Sequence, residues 1–346
     1  MNGYRLGFNS GLFQATSRMD IMSTKVGVHP ATLFSIDKRI WISGLDHRQL
    51  ATLDKIPVSV LRFRFTQNQL PDLMPNDSDF IRAALNVASV SEAINYINTC
   101  DYDPLLITGV EHKNYEWFTQ LKYRRRIRIC DSPGFHIVMP VNPARLILDP
   151  SKESALHNTC QILGRDLHEF ERLSKNESYD GTMEDYGVLP HETHAQMRCM
   201  IERGIRPMIA SALTGMDLLE VSNYARSNSV RKLLPRQAIK GRIPSVEVSF
   251  TRSPQQANLF MLCYTLIGKG TRQATNSKAA LYAYDQTQRF LTHMGFPDDQ
   301  IININDAFNV AMGTLSGELM WRSCQKCGAR EVFLPTKETP CIWCSP

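Results

Sequence analysis

Four cysteines near the C-terminus are the residues best suited to chemistry: Cys324-Gln-Lys-Cys327 and Cys341-Ile-Trp-Cys344, with 13 residues between the pairs. Two thiols in a CxxC can be aimed at one ion by a tight turn, and a second such pair completes a closed tetrahedral shell of the kind structural zinc sites use. Gly328 directly follows the first pair, where the turn of such a knuckle calls for positive φ. Cys324, Cys327, Cys341 and Cys344 are therefore the candidate ligands, for one Zn2+ per chain. A closed shell leaves no coordination position for a substrate, so the site reads as structural. A redox reading would need a single CxxC opening a helix within a βαβ unit, and no such unit is evident.

Other chemistry is harder to find. The sequence has no GxSxG, Walker A, HExxH or GxGxxG pattern. His191, Glu192 and His194 form HETH, one residue short of a metalloprotease motif. The expectation is that the chain is not an enzyme. The remaining cysteines, Cys100, Cys130, Cys160, Cys199 and Cys263, are scattered singly, as small buried hydrophobes are. An odd cysteine count with two CxxC pairs fits a reducing compartment better than a disulfide framework, so a cytoplasmic protein is expected. No apolar run reaches the roughly 18 residues of a membrane span, and the N-terminus carries no signal-peptide pattern.

The elements that must position the cysteines are mostly helical. Residues 79–98 and 254–292 carry apolar side chains at i, i+3, i+4 spacing. So does 149–190, where Leu156, Cys160, Leu163, Leu167, Phe170 and Leu173 recur, before a polar tract from Lys175 to Gly187 that reads as a loop. Strand-like alternation is confined to Val58–Phe65, Ile127–Met139 and Val246–Phe250. The expected class is mainly α with small β elements near the cysteines.

Self-similarity suggests a duplication. With a shift of 188 positions, Arg18, Ile21, Ser23 and Gly27 fall on Arg206, Ile209, Ser211 and Gly215. Downstream, KIPVSVLRF (55–63) lies over RIPSVEVSF (242–250), and RICDSPGFHIVMP (128–140) over RSCQKCGAREVFLP (322–335). The expected division is a first repeat at 1–148, a connector at 149–190 and a second repeat at 191–346. Their formal charges are +4, −5 and +6, two basic blocks flanking an acidic connector. The first repeat keeps Cys130 but lacks the other three ligands, so the zinc ribbon belongs to the second alone.

The stretch shared by the two copies has a helix-turn-helix pattern, with small Ser23 or Ser211 where two helices approach and Gly27 or Gly215 at the turn. The candidate recognition helices are His29–Arg39 and Asp217–Arg226. Their outward residues Thr32, Lys38 and Arg39, and Glu220, Asn223 and Arg226, could reach bases or phosphates of double-stranded DNA. Two basic clusters add to them: Arg124, Arg125, Arg126 and Arg128 ahead of Cys130, and Arg231, Lys232, Arg236, Lys240 and Arg242 after the second motif.

From 195 to the C-terminus the chain resembles the FlhC family, a subunit of the bacterial flagellar master regulator. The likeness is carried by MIERGIRPMIASALTGMDLLEVSNYARS, IPSVEVSF, NLFMLCYTLIGK and, most specifically, MGTLSGELMWRSCQKCGAREVFLPTKETPCIWCSP. The gap between the cysteine pairs is a few residues shorter than in that family, and the chain is about twice the family's usual length. The resemblance implies two tandem FlhC-like helical domains in a zinc-binding transcription activator. It further implies an FlhD-like partner, recruitment of RNA polymerase, and a pseudo-dimer built into one chain. The promoters implied are those of flagellar or mobile-element genes. A zinc-stabilised structural adaptor is the alternative.

Overall fold

The structure, a computed structural model, describes residues 8–9, 44–65, 91, 93–110, 112–122, 125–126, 135–176, 190–227, 244–268, 277–337 and 340–344. It is mainly helical there, with two two-stranded antiparallel sheets. The chain separates into two compact units, one of residues 1–166 and 293–295, the other of 167–292 and 296–346. The division falls inside one long helix of the connector.

In the first unit, α1 (His47–Leu53) is capped by Asp46, whose side chain accepts from the Gln49 amide while Gln49 accepts from the Asp46 amide. The chain then bends through 56–61 into β1 (Arg62–Phe65), which pairs with β2 (Phe135–Val138) from Arg62 opposite Val138 to Phe65 opposite Phe135. Buried Asn9 organises the bend: its Nδ2 donates to the carbonyls of Leu53 and Ile56, and its Oδ1 accepts from the Val60 amide. Between the strands lie a helical segment at 93–100, α2 (Pro104–Thr108) and α3 (His112–Gln120). Helix α4 (Lys152–Asn176) begins in this unit. It buries Leu156, Leu163 and Leu167 on the stripe read from the sequence, and it runs on through Lys175 and Asn176, where a loop was expected. The residues from 177 to 187 lie outside the described ones.

The centre of this unit holds an ion pair that no local pattern announced. Arg62 is fully buried, its Nε donates 2.7 Å to Asp166 Oδ2, and its Nη1 donates 3.0 Å to the Leu106 carbonyl. A second donation reaches the Ile107 carbonyl. A buried guanidinium is tolerable only when both its charge and its N–H groups are met, and here they are.

The second unit begins with α5 (Pro190–Glu202), α6 (Pro207–Thr214) and α7 (Leu218–Arg226). It continues with α8 (Val246–Arg252), α9 (Pro254–Ile267), α10 (Ser277–His293), α11 (Ile304–Ser316) and the hairpin β3 (Met320–Ser323) and β4 (Arg330–Phe333). The apolar stretch 254–292 is thus two helices. Every residue of α9 from Gln256 to Tyr264 is buried, which marks a central helix covered on all sides. Phe260 stacks on Tyr264 at 6.0 Å and on Phe308 at 6.1 Å, and meets Tyr284 edge-on at 6.5 Å.

One strand expectation is overturned. Val246–Phe250 forms the first turns of α8, because Ser245 caps the Val248 amide and Val246, Ser249 and Phe250 are spaced to bury together on α11. Ser249 Oγ donates to Asp306 Oδ1 at 2.8 Å, and Asn309 Nδ2 donates to Ser249 Oγ and to the Pro244 carbonyl. The aligned KIPVSVLRF instead bends and enters β1. The two aligned segments therefore differ in local structure. The first match cannot be compared, since Arg18–Arg39 lies outside the described residues.

Candidate metal centre

The hairpin brings the first cysteine pair into position. β3 leads into Cys324, whose amide donates to the Ala329 carbonyl at 2.9 Å, and the Gly328 amide donates back to the Cys324 carbonyl at 2.8 Å. Gly328 has φ 73, the left-handed value its place in the turn called for. The second pair closes the same way: the Cys344 amide donates to the Cys341 carbonyl at 3.1 Å, and the Trp343 amide points at Cys341 Sγ at 3.4 Å.

All four sulfurs lie within 4.8 Å of one another. Cys324 Sγ is 3.8 Å from Cys344 Sγ, and Cys327 Sγ is 3.7 Å from Cys341 Sγ. A regular tetrahedron of sulfurs about 2.3 Å from a central zinc has edges of about 3.8 Å, whereas a disulfide would need about 2.05 Å. The donor set therefore fits a metal ion at its centre, with the sulfurs as thiolates. The close pairs cross from one knuckle to the other, as a shared ion requires.

Metal-free thiols in this cluster differ in acidity. Burial would raise Cys324, but the amides of Cys327 and Lys326 directed at its sulfur outweigh it and bring it down to about 7. Burial pushes Cys327 up to about 11 and raises Cys341 still further. Ion binding at neutral pH must displace protons from the latter two.

The ribbon is docked onto the helical core. Leu319, Ala329, Val332 and Leu334 are buried. Asn258, itself fully buried on α9, acts as a third strand for β4: its Nδ2 donates to the Arg330 carbonyl and its Oδ1 accepts from the Val332 amide at 3.0 Å. Arg330 Nη2 donates to both carboxylate oxygens of Glu171 on α4, at 2.9 and 3.1 Å. Glu331 is fully buried and takes Arg322 Nε on one oxygen and the Ile342 amide on the other. The sequence reading singled out none of these supporting residues; the one available signal was a carboxylate beside valine in a short strand ahead of the second pair.

The helix-turn-helix pattern of the second copy takes helical form. Gly215, with φ 70, ends α6, and Asp217 Oδ1 caps α7 by accepting the amides of Leu219 and Glu220. Ser211 Oγ crosses the turn to the Met216 carbonyl at 2.7 Å. Helix α5 packs against α7, with Tyr224 Oη donating to Glu202 at 2.8 Å.

Glu220, Asn223 and Arg226 are exposed on α7, as expected. Its outward N-terminal turn, however, presents Leu218 and Leu219 beside Asp217 and Glu220, with no Lys or Arg among them. Arg125 is exposed. Arg126 is turned onto its own neighbourhood: its Nε donates to the Leu121 carbonyl, its Nη2 to that of Thr119, and its guanidinium lies over Phe118. Thr32, Lys38, Arg39, Arg124, Arg128, Arg231, Lys232, Arg236, Lys240 and Arg242 lie outside the described residues. Among the described residues no helix is long and apolar enough to cross a membrane.

Compared with models of protein families, with characterised proteins and with solved structures, the chain gives no match in any of the three.

Proposed function

We propose that this chain is a DNA-binding transcription activator resembling the FlhC family, held together at its C-terminus by one structural zinc ion. Cys324, Cys327, Cys341 and Cys344 are the ligands. The protein acts in the cytoplasm with an FlhD-like partner and recruits RNA polymerase to promoters of flagellar or mobile-element genes. The observation that carries this reading is the cluster of four sulfurs at tetrahedral edge distances, in a ribbon that follows directly on a core helix and lies in the same unit as a helix-turn-helix. That succession of elements is where the sequence resemblance is most specific.

Arg226 on α7 and the 231–242 cluster after it supply the positive charge for phosphates. The test is binding of duplex DNA by the full chain, alone and co-purified with the product of a neighbouring gene, at about 50 and about 200 mM salt. The reading expects retention that weakens steeply with salt and falls on Arg231→Ala/Lys232→Ala substitution. Absence of retention at the lower salt, with and without the partner, contradicts it.

The alternative, a zinc-stabilised adaptor in a protein assembly, has one observation in its favour. Met208 is 57% exposed, Leu219 66% and Leu218 41%, an apolar outward surface on α6 and α7 that suits a protein better than a phosphate backbone. Stable protein complexes without duplex binding would select it.

A further inference from the structure

The two cysteine pairs are tied to each other by something other than the ion. In the hairpin register Arg322 stands opposite Glu331, and Arg322 lies two residues before Cys324. Arg322 Nε donates to Glu331 Oε1 at 2.6 Å. The other oxygen, Oε2, accepts at 3.0 Å from the amide of Ile342, the residue after Cys341. The carboxylate is fully buried, and Arg322 is fixed further by lying 4.6 Å over the Phe333 ring. The carbonyl of the same Ile342 accepts from Gln255 Nε2 of α9 at 3.3 Å. The two peptide groups flanking Ile342, inside the second knuckle, are thus held one by the hairpin and the other by the core helix.

We infer that Glu331 is a positioning residue of the metal centre: through the Ile342 amide it sets the second cysteine pair against the first before an ion arrives. The inference rests on the zinc reading proposed above and deepens it. Without this link the second pair would be set against the first with less help from the protein, and the closure entropy of the stretch after β4 would be subtracted from affinity. The chemistry also explains the partner: a buried carboxylate beside four thiolates would oppose a negatively charged centre unless a cation balanced it, and Arg322 is that cation. Groups at this remove from a metal typically change affinity by about 10–100-fold when lost.

The experiment is competition for Co2+ between the full chain and a chelator, read from the thiolate charge-transfer absorption, with amide exchange of Ile342 measured in parallel. Glu331→Ala is expected to weaken Co2+ binding by at least about tenfold and to speed Ile342 exchange. Asn305→Ala serves as a control for general destabilisation, because it removes the contacts of Asn305 with the Gly204 carbonyl and the Arg206 amide at the start of α11, opposite the end that leads into the ribbon, and it should leave Co2+ affinity unchanged. If Glu331→Ala does not fold, Glu331→Gln takes its place; it keeps the side chain's length but can serve only one of the two donors, and a loss of affinity is expected of it also. Parental affinity in a folded Glu331 variant overturns the inference while leaving the zinc reading intact. An equal loss in Asn305→Ala overturns it too, by showing that affinity follows stability. A parent chain that binds no Co2+ overturns both.

Discussion

Gly313 lies inside α11, where replacement by alanine would ordinarily stabilise a helix by about 0.5–1 kcal/mol. Here the sign reverses. A Cβ at this position would sit 2.2 Å from Val246 Cγ1, 3.1 Å from its Cγ2 and 3.2 Å from its Cβ. Turning the valine cannot clear all three atoms, and a β-branched side chain in a helix has essentially one comfortable rotamer. Helix α8 would have to withdraw, yet it is pinned to α11 through Ser249, Asp306 and Asn309. Overpacking of this kind costs about 1–3 kcal/mol, which leaves a net loss of roughly 1–2 kcal/mol. For a unit of this size that corresponds to a melting point lowered by about 2–8 °C. Thermal unfolding followed by circular dichroism measures it. Val246→Ala made alongside supplies the second arm: alone it leaves a cavity, but with Gly313→Ala it makes room for the new methyl. The pair should be coupled by about 1 kcal/mol or more. A higher melting point for Gly313→Ala, or strictly additive single and double variants, would refute the close approach of these helices.

Two further outcomes concern the first unit. Asp166→Ala leaves the buried guanidinium of Arg62 without its counter-charge and should destabilise that unit by about 3–5 kcal/mol in chemical denaturation; a loss under 1 kcal/mol (a rough bound from surface pairs) would show the pair to be solvated. Burial lowers the pKa of His157 from its ordinary 6.5. The unfolded chain therefore takes up the proton first, so stability is full above about 6.5 and is lost as pH falls from there through the lower folded value. Denaturation midpoints between about pH 7.5 and 5 should show this decline, and His157→Gln should flatten it.

The cysteine cluster was legible in the sequence because the signal of its ligands is local: two CxxC turns, a glycine at the left-handed position, and a short loop between the pairs. Helix α7, expected over Asp217–Arg226, was legible for the same reason. What escaped was set by partners far along the chain. Val246–Phe250 satisfies both a period of two and the i, i+3, i+4 spacing of a buried helix face, and only Ser245 and the groove at Gly313 decide between them. Arg62 in an alternating RFRF strand carries no local sign of burial, because its counter-ion is 104 positions away. Asn258 sits in an apolar run and reads as a blemish until β4 is laid against it. Arg126 was grouped with its neighbours as a basic run, although its guanidinium closes the end of α3. At residues 57–63 and 244–250 the two units put shared identities to different local use, a bend into a strand in one and a helix in the other.

Native mass spectrometry of the purified full chain, before and after dialysis against a chelator, tests the central claim most directly. One zinc per chain is predicted, absent from Cys341→Ser, and its removal should lower the melting point of the second unit. A parent chain that carries no metal, or that melts at the same temperature with its thiols free and its metal stripped, would contradict it.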